Sequence, residues 1–166
     1  MKPYPVYKDS GVEWLGQVPE GWKVVPVKAV ATCNDEVLTE GTDPSTDLEY
    51  VEISGVDAND GIVETTATKF GAAPSRARRI VRNGDMLIST VRTYLRAIAQ
   101  VTEAAPNLIA STGFAVLRPK SVSSPFLGHV CRSEYFIAEV IARSVGVSYP
   151  AINACLLYTS PSPRDV

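Results

Sequence analysis

Residues 76–96 read Arg-Ala-Arg-Arg-Ile-Val-Arg-Asn-Gly-Asp-Met-Leu-Ile-Ser-Thr-Val-Arg-Thr-Tyr-Leu-Arg, six arginines bracketing a turn and a short apolar run. Asn83-Gly84-Asp85 has the residues of a tight turn, because Gly and Asn accept positive φ cheaply and Asp bonds its own backbone. The Met86-Leu87-Ile88 run is short and wholly apolar, which predicts a buried strand. One buried strand displaying a basic surface is the expectation around which the rest is arranged. Between positions 69 and 96, seven bases (Lys69, Arg76, Arg78, Arg79, Arg82, Arg92 and Arg96) stand against one acid, Asp85, an excess hidden by the whole-chain charge of −2.

The opposite charge is segregated. No base occurs between Lys28 and Lys69, where ten acids lie: Asp35, Glu36, Glu40, Asp43, Asp47, Glu49, Glu52, Asp57, Asp60 and Glu64. A polyanion responds to the local field of a face rather than to net charge, so the basic segment is the functional lead. Each arginine taken singly reads equally well as a surface partner of the acidic segment, in a pair worth under about 1 kcal/mol.

A chain of 166 residues is expected to form one domain with a sizeable core. Three widely spaced cysteines, an odd number, fit a reducing compartment, and the cytoplasm is the expected location. The N-terminus lacks the apolar stretch of a secretion signal, and no apolar run approaches the ~20 residues of a membrane span.

Residues 1–21, rich in Pro and Gly, are predicted to be an irregular arm anchored by Trp14, Leu15 and Trp22. A first strand is expected at 22–27, with Pro26 marking an edge. Residues 34–47 read as loop. Strands follow at 50–53 and 62–64, joined through Asp60-Gly61, then at 86–88, 97–101 and 114–117, the last approached through Ser111-Thr112-Gly113. The connections are too short for crossover helices, so a mixed or mostly antiparallel sheet is expected. Helical spacing appears late: one helix opening at Ser124-Pro125, and a second near Ser133 carrying Phe136, Ile137, Val140 and Ile141 and ending at Gly146. Strands first and two short helices afterwards predict an α+β fold with the helices packed on the sheet.

Residues 155–166 continue none of these patterns, and their Ser/Pro composition predicts a disordered tail. Cys-Leu-Leu-Tyr-Thr-Ser-Pro-Ser-Pro-Arg-Asp also resembles the translated read-through of a sequencing adapter, so a non-native tail diverging at about Ala154 is expected.

Several chemistries are excluded. His129, the single histidine, lies two residues from Cys131 in a predicted helix, where the two do not face each other, so no nucleophile and base pair arises. No zinc spacing, phosphate loop or cofactor-binding glycine motif is present, so no metal and no cofactor are expected. The acids between Asp43 and Glu64 leave a metal-dependent nuclease as a distant rival, and a scaffold domain docking an acidic partner as a nearer one.

Four stretches resemble one family in its own order. Asp9-Ser-Gly-Val-Glu-Trp-Leu-Gly16 with Val18-Pro-Glu-Gly-Trp22 is similar to the opening of specificity subunits of type I restriction-modification systems. Gly84-Asp-Met-Leu-Ile-Ser89 with Arg92, and Ser111-Thr-Gly-Phe-Ala-Val-Leu117, resemble the body of their target recognition domain. Tyr149-Pro-Ala-Ile-Asn153 resembles the motif that closes it, and the likeness runs from about residue 7 to 154.

The resemblance implies sequence-specific binding of double-stranded DNA without catalysis. It also implies partnership with methyltransferase and restriction subunits, which are directed to one half of a split site. Residues 22–154 would be the recognition domain. The second recognition domain and the long helix expected after Asn153 are missing from this sequence. On this reading Arg76, Arg78, Arg79 and Arg82, with Lys69, meet phosphates. Arg92, Tyr94 and Arg96 are base or sugar candidates, and Tyr149, Pro150 and Asn153 belong to the closing motif. A structural reading stands beside it: Ser111-Thr112-Gly113 as a strand turn, Tyr149 as a packing residue, Asn153 as a backbone cap.

Overall fold

The computed structural model of the chain describes residues 4–13 and 15–164. In chain order it contains a hairpin of β1 (Tyr7–Asp9) and β2 (Gln17–Pro19), then β3 (Lys23–Pro26), β4 (Ala31–Cys33) and β5 (Asp47–Val51). A hairpin of β6 (Val56–Asp57) and β7 (Gly61–Ile62) precedes β8 (Thr66–Lys69), β9 (Ala77–Ile80), β10 (Met86–Ser89), β11 (Ile98–Gln100), β12 (Leu108–Ser111) and β13 (Phe114–Pro119). Helices α1 (Ser124–Arg132), α2 (Glu134–Ala142) and α3 (Ala154–Tyr158) follow, and β14 (Pro161–Arg164) comes last.

Strand β10 explains the architecture because neither of its faces meets solvent. Met86 and Ile88 join Leu127, Phe136 and Val140 in a cluster beneath α1 and α2. Leu87, one residue out of phase, joins Val51, Ala110 and Phe114 on the other side. Side chains alternate faces along a strand, so an unbroken apolar run is what a strand buried on both faces requires. Each such side chain contributes roughly 1.5–3 kcal/mol by leaving water.

Three layers result. Helices α1 and α2 cover one face of an antiparallel sheet of order β11-β10-β13-β4. Its other face packs on a second sheet of order β8-β5-β12-β9, in which only β5 and β12 run parallel. The fold is α+β with a mixed, mostly antiparallel strand arrangement, as the order of elements predicts.

Several local expectations are corrected. The N-terminal arm is not irregular: β1 and β2 pair from Tyr7↔Pro19 to Asp9↔Gln17. Its glycines shape the connection, with Gly11 and Gly16 at positive φ and the Ser10 N–H donating to the Gly16 carbonyl. Strand β3 is therefore third rather than first. Trp22 anchors it as expected, edge-on to Phe126 at 5.3 Å; Trp14 lies outside the described residues. The turn at Asp60-Gly61 does not return to β5 but closes β6 on β7, with Val56↔Ile62 in register. Strands β8, β9 and β12 escaped the sequence reading, since each pairs with a partner far along the chain and none alternates cleanly.

The helix caps are shifted by one residue in one case and correct in the other. Ser123, not Ser124, caps α1 by accepting from the Phe126 N–H, while the Ser124 hydroxyl donates to the Gly84 carbonyl at 2.8 Å. Ser133 caps α2 with Glu134 in the first turn. Helix α2 ends at Ala142, ahead of Gly146, because Val145 and Ala151 exchange backbone hydrogen bonds and draw the chain into a loop.

The tail is not disordered between 155 and 164. Asn153 caps the five-residue helix α3, Leu157 is fully buried, and the Tyr158 hydroxyl donates to the Ala31 carbonyl at 3.0 Å. Strand β14 pairs with β3 from Pro161↔Pro26 to Arg164↔Lys23. Proline is excluded from central strands but tolerated on an edge, and β3 offers one. The long helix expected after Asn153 is absent from the described residues.

Candidate nucleic-acid interface

The stretches singled out by sequence converge on one open groove of about 800 Å³ at the end of the two sheets. The turn after β5 supplies Glu52 and Ile53, the segment after β10 supplies Thr90, Arg92 and Leu95, and the β12–β13 turn supplies Ser111, Thr112 and Gly113. Tyr149 closes the rim. The opening motif, by contrast, lies away from this groove and packs Trp22 on α1.

Backbone hydrogen bonds weld these segments together. Both the N–H and the hydroxyl of Thr90 donate to the Gly113 carbonyl, at 2.8 and 2.9 Å. The Ile152 N–H donates to the Thr90 carbonyl at 2.9 Å, and the Arg92 N–H to the Pro150 carbonyl at 2.7 Å. Ser111-Thr112-Gly113 is thus a strand turn, and its backbone also forms part of the groove wall. Asn153 is a backbone cap, accepting from the Cys155 N–H at 2.8 Å.

The nominated cations do not make a single unpaired basic face. Lys69 pairs with Asp47 at 2.9 Å, Arg76 with Glu52 at 3.0 Å, Arg82 with Glu36 through two nitrogens, and Arg96 with Glu134 through two nitrogens. Three of those four acids come from the acidic segment, so the chain supplies its own acidic partner for this stretch. Arg78 lies over the Phe70 ring at 4.8 Å, and Arg79 is half-buried on β9. Tyr94 is exposed on the short 3-10 turn Thr93–Leu95. Arg92 is exposed, has no carboxylate within ion-pair reach among the described residues, and lies over the Tyr149 ring at 4.5 Å. Exposed pairs are worth under about 1 kcal/mol, so a phosphate can displace a carboxylate, but the acid cancels much of the local field.

Sequence reasoning missed the best-buried ionic group. Asp85, read as a turn residue, is fully buried and accepts from Arg118 Nε at 2.9 Å, from Arg118 Nη2 at 2.8 Å and from the Arg82 N–H at 2.8 Å. Arg118 also donates to Glu36 at 2.6 Å, which ties the acidic segment to the central strands. The only signal was an arginine closing the apolar run at 114–117. Its meaning depends on the Met86↔Leu117 register, which sets Asp85 opposite Arg118.

Hydrogen bonds from Arg82 and then Arg118 hold the Glu36 carboxyl at about 2, down from 4.5. A carboxylate with a depressed folded pKa stabilises the fold above its unfolded value and loses that contribution as pH falls through the folded one. Wild type should therefore exceed Glu36→Gln in urea midpoint at pH 6, and the gap should close between about pH 4.5 and pH 2. A gap independent of pH would show that Glu36 acts through shape rather than charge.

Several of the acids proposed for a nuclease are engaged elsewhere. Asp43 bonds the turn at Ser45, Asp57 the turn at Asn59 and Asp60, and Glu49 accepts from Thr65. Among the described residues no three His, Cys, Asp or Glu side chains converge as a metal ion requires. Cys131 is core filler, fully buried, its thiol pushed up to about 12 by that burial. No helix among the described residues is long and apolar enough to cross a membrane.

No family model matches the chain, and no curated protein matches it in sequence. Solved structures do. A chain from a type I restriction-modification system, solved for its complex assembly and conformational transition, matches with a TM-score of 0.79 and 36% identity over 88% of this chain. The HsdS subunit from Thermoanaerobacter tengcongensis matches with a TM-score of 0.76 and 35% identity over the same share. The type I S subunit from M. genitalium, at 11% identity and a TM-score of 0.54 over 86% of this chain, shares the fold. What the layers and groove define is the fold of a type I restriction-modification S subunit. The chain is similar to those subunits over 88% of its own length, and it spans 38% of the length of either of the first two.

Proposed function

We propose that this chain reads one half of a split site in double-stranded DNA, as the specificity module of a type I restriction-modification complex. It performs no catalysis itself and directs methyltransferase and restriction subunits, in the cytoplasm, to the sequence it holds. The observation that carries this reading is the convergence of three separated motifs on one groove whose rim bears an arginine with no carboxylate partner among the described residues. Arg76 and Arg92 face the groove. Lys69, Arg78, Arg79, Arg82 and Arg96 serve phosphates to the extent that a phosphate outcompetes the carboxylates beside them, and Tyr94 contacts sugar or base. Tyr149 and Pro150 support the rim while Asn153 caps the chain as it leaves. The natural sequence parts from this one at about Ala154, which a genomic read through the region tests directly.

A salt titration of duplex binding tests the main claim. Each phosphate contact contributes about −0.9 to the slope of log K against log[salt]. Self-pairing lowers the effective number of contacts to roughly two to four, so affinity should fall roughly 12- to 150-fold between 50 and 200 mM salt. A flat response would remove the basis for DNA binding. Incubation with plasmid and Mg²⁺ should leave the plasmid intact; nicking would restore the enzyme reading.

A further inference from the structure

We propose that Arg92 and Tyr149 form one base-reading unit, with Arg92 selecting a guanine and Tyr149 fixing the direction in which its guanidinium points. This rests on the DNA-binding reading above and assigns to the domain-closing motif a part in specificity.

Two independent features single out the pair. Arg92 adopts the left-handed conformation (φ 51°, ψ 50°), as does Arg96 at the far end of the turn (φ 54°, ψ 36°). Residues with side chains seldom adopt it, and where they do the surroundings hold them there, commonly at functional positions. The surroundings do so here. The Arg92 N–H is bound to the Pro150 carbonyl at 2.7 Å, Val91 bridges Ala151, and the Thr93 and Ser144 hydroxyls meet at 2.9 Å. Stretches more than fifty residues apart are thereby locked to one another at the groove rim.

The second feature is the contact itself. With its guanidinium over the Tyr149 ring at 4.5 Å and no carboxylate in reach among the described residues, Arg92 keeps its donors available to an incoming group. A phosphate offers oxygens on every side and is held by a lysine's point charge as well as by an arginine's fork, so it sets a loose demand on orientation. Guanine asks for two coplanar N–H groups aimed at O6 and N7, and orientation is what an aromatic support provides. The fixed backbone and the stacked side chain are redundant for a phosphate contact and necessary for a base contact.

The test is selection of binding sites from randomised duplexes by the full chain and by Arg92→Lys, Arg92→Ala, Tyr149→Ala and Tyr149→Phe. Wild type should select a G·C pair at a fixed position. Arg92→Lys should retain the wild-type salt slope yet lose roughly 5- to 150-fold in preference at that position, the worth of a bidentate guanine contact. Arg92→Ala should lose both. Tyr149→Ala should lose the preference and Tyr149→Phe keep it, since the ring and not the hydroxyl supports the cation. Undiminished guanine preference in Arg92→Lys or Tyr149→Ala overturns this inference alone. Absence of any duplex binding by wild type overturns the parent reading and this one with it.

Discussion

Asp85→Ala is expected to destabilise the chain by about 3 kcal/mol, the lower end of the cost of breaking a buried ion pair. The Asp85 side chain is inaccessible to solvent and receives both Arg118 nitrogens together with a backbone N–H. Removing it strands Arg118, which is about a quarter exposed and keeps Glu36 as a partner, so the loss stays at that end of the range. Replacing both partners should behave differently. Asp85→Leu combined with Arg118→Met substitutes apolar volume for the pair and should recover much of the loss, because taking two charges out of water already offsets most of their attraction. Urea unfolding of the single and double variants measures this. A loss below about 1 kcal/mol for Asp85→Ala would mean that the pair is not formed.

Phe136→Ala should cost about 3–5 kcal/mol, the usual range for emptying a buried aromatic site. Phe136 sits in the first turn of α2, fully buried, in the cluster that contains Met86, Ile88 and Leu127. The consequence should reach the groove as well. Helix α2 holds the turn after β10 through Glu134 with Arg96, and Ser144, just past its end, bonds Thr93. A loosened α2 releases the backbone that sets Arg92, so duplex affinity should fall along with stability. Phe136→Leu, which keeps most of the volume, should restore both. Binding unchanged in a clearly destabilised Phe136→Ala protein would show that the turn is positioned without α2.

Asp85 and Phe136 also mark the limits of reading by pattern. Phe136 was legible because helical spacing in residues 133–141 sets it on the buried face with Ile137 and Val140, although Ile141, expected on that same face, is exposed near the end of α2. Asp85 was not, because a carboxylate beside Asn-Gly has an ordinary life in a turn, and its partner lies 33 positions away across a strand pairing. The basic cluster shows the same divide. Its residues were named correctly as the charged stretch of the chain, but a list of charges carries no information about which of them face one another. Glu36, Asp47 and Glu52 turned out to neutralise Arg82, Lys69 and Arg76. The family likeness was legible as well, since its motifs are short runs of backbone-shaping and strand residues.

What the amino-acid order determined alone is the two-sided burial of residues 86–88, the late pair of capped helices and the order of the four motifs, all of which depend on neighbours within a few positions. The parallel pairing of β5 with β12, the hairpin at the N-terminus, the pairing of residues 161–164 with β3 and the meeting of Arg92 with Tyr149 were decided only when the sheets closed. The reason is physical: local periodicity reports which face of an element avoids water, whereas register and ion pairing depend on which distant element arrives to cover it.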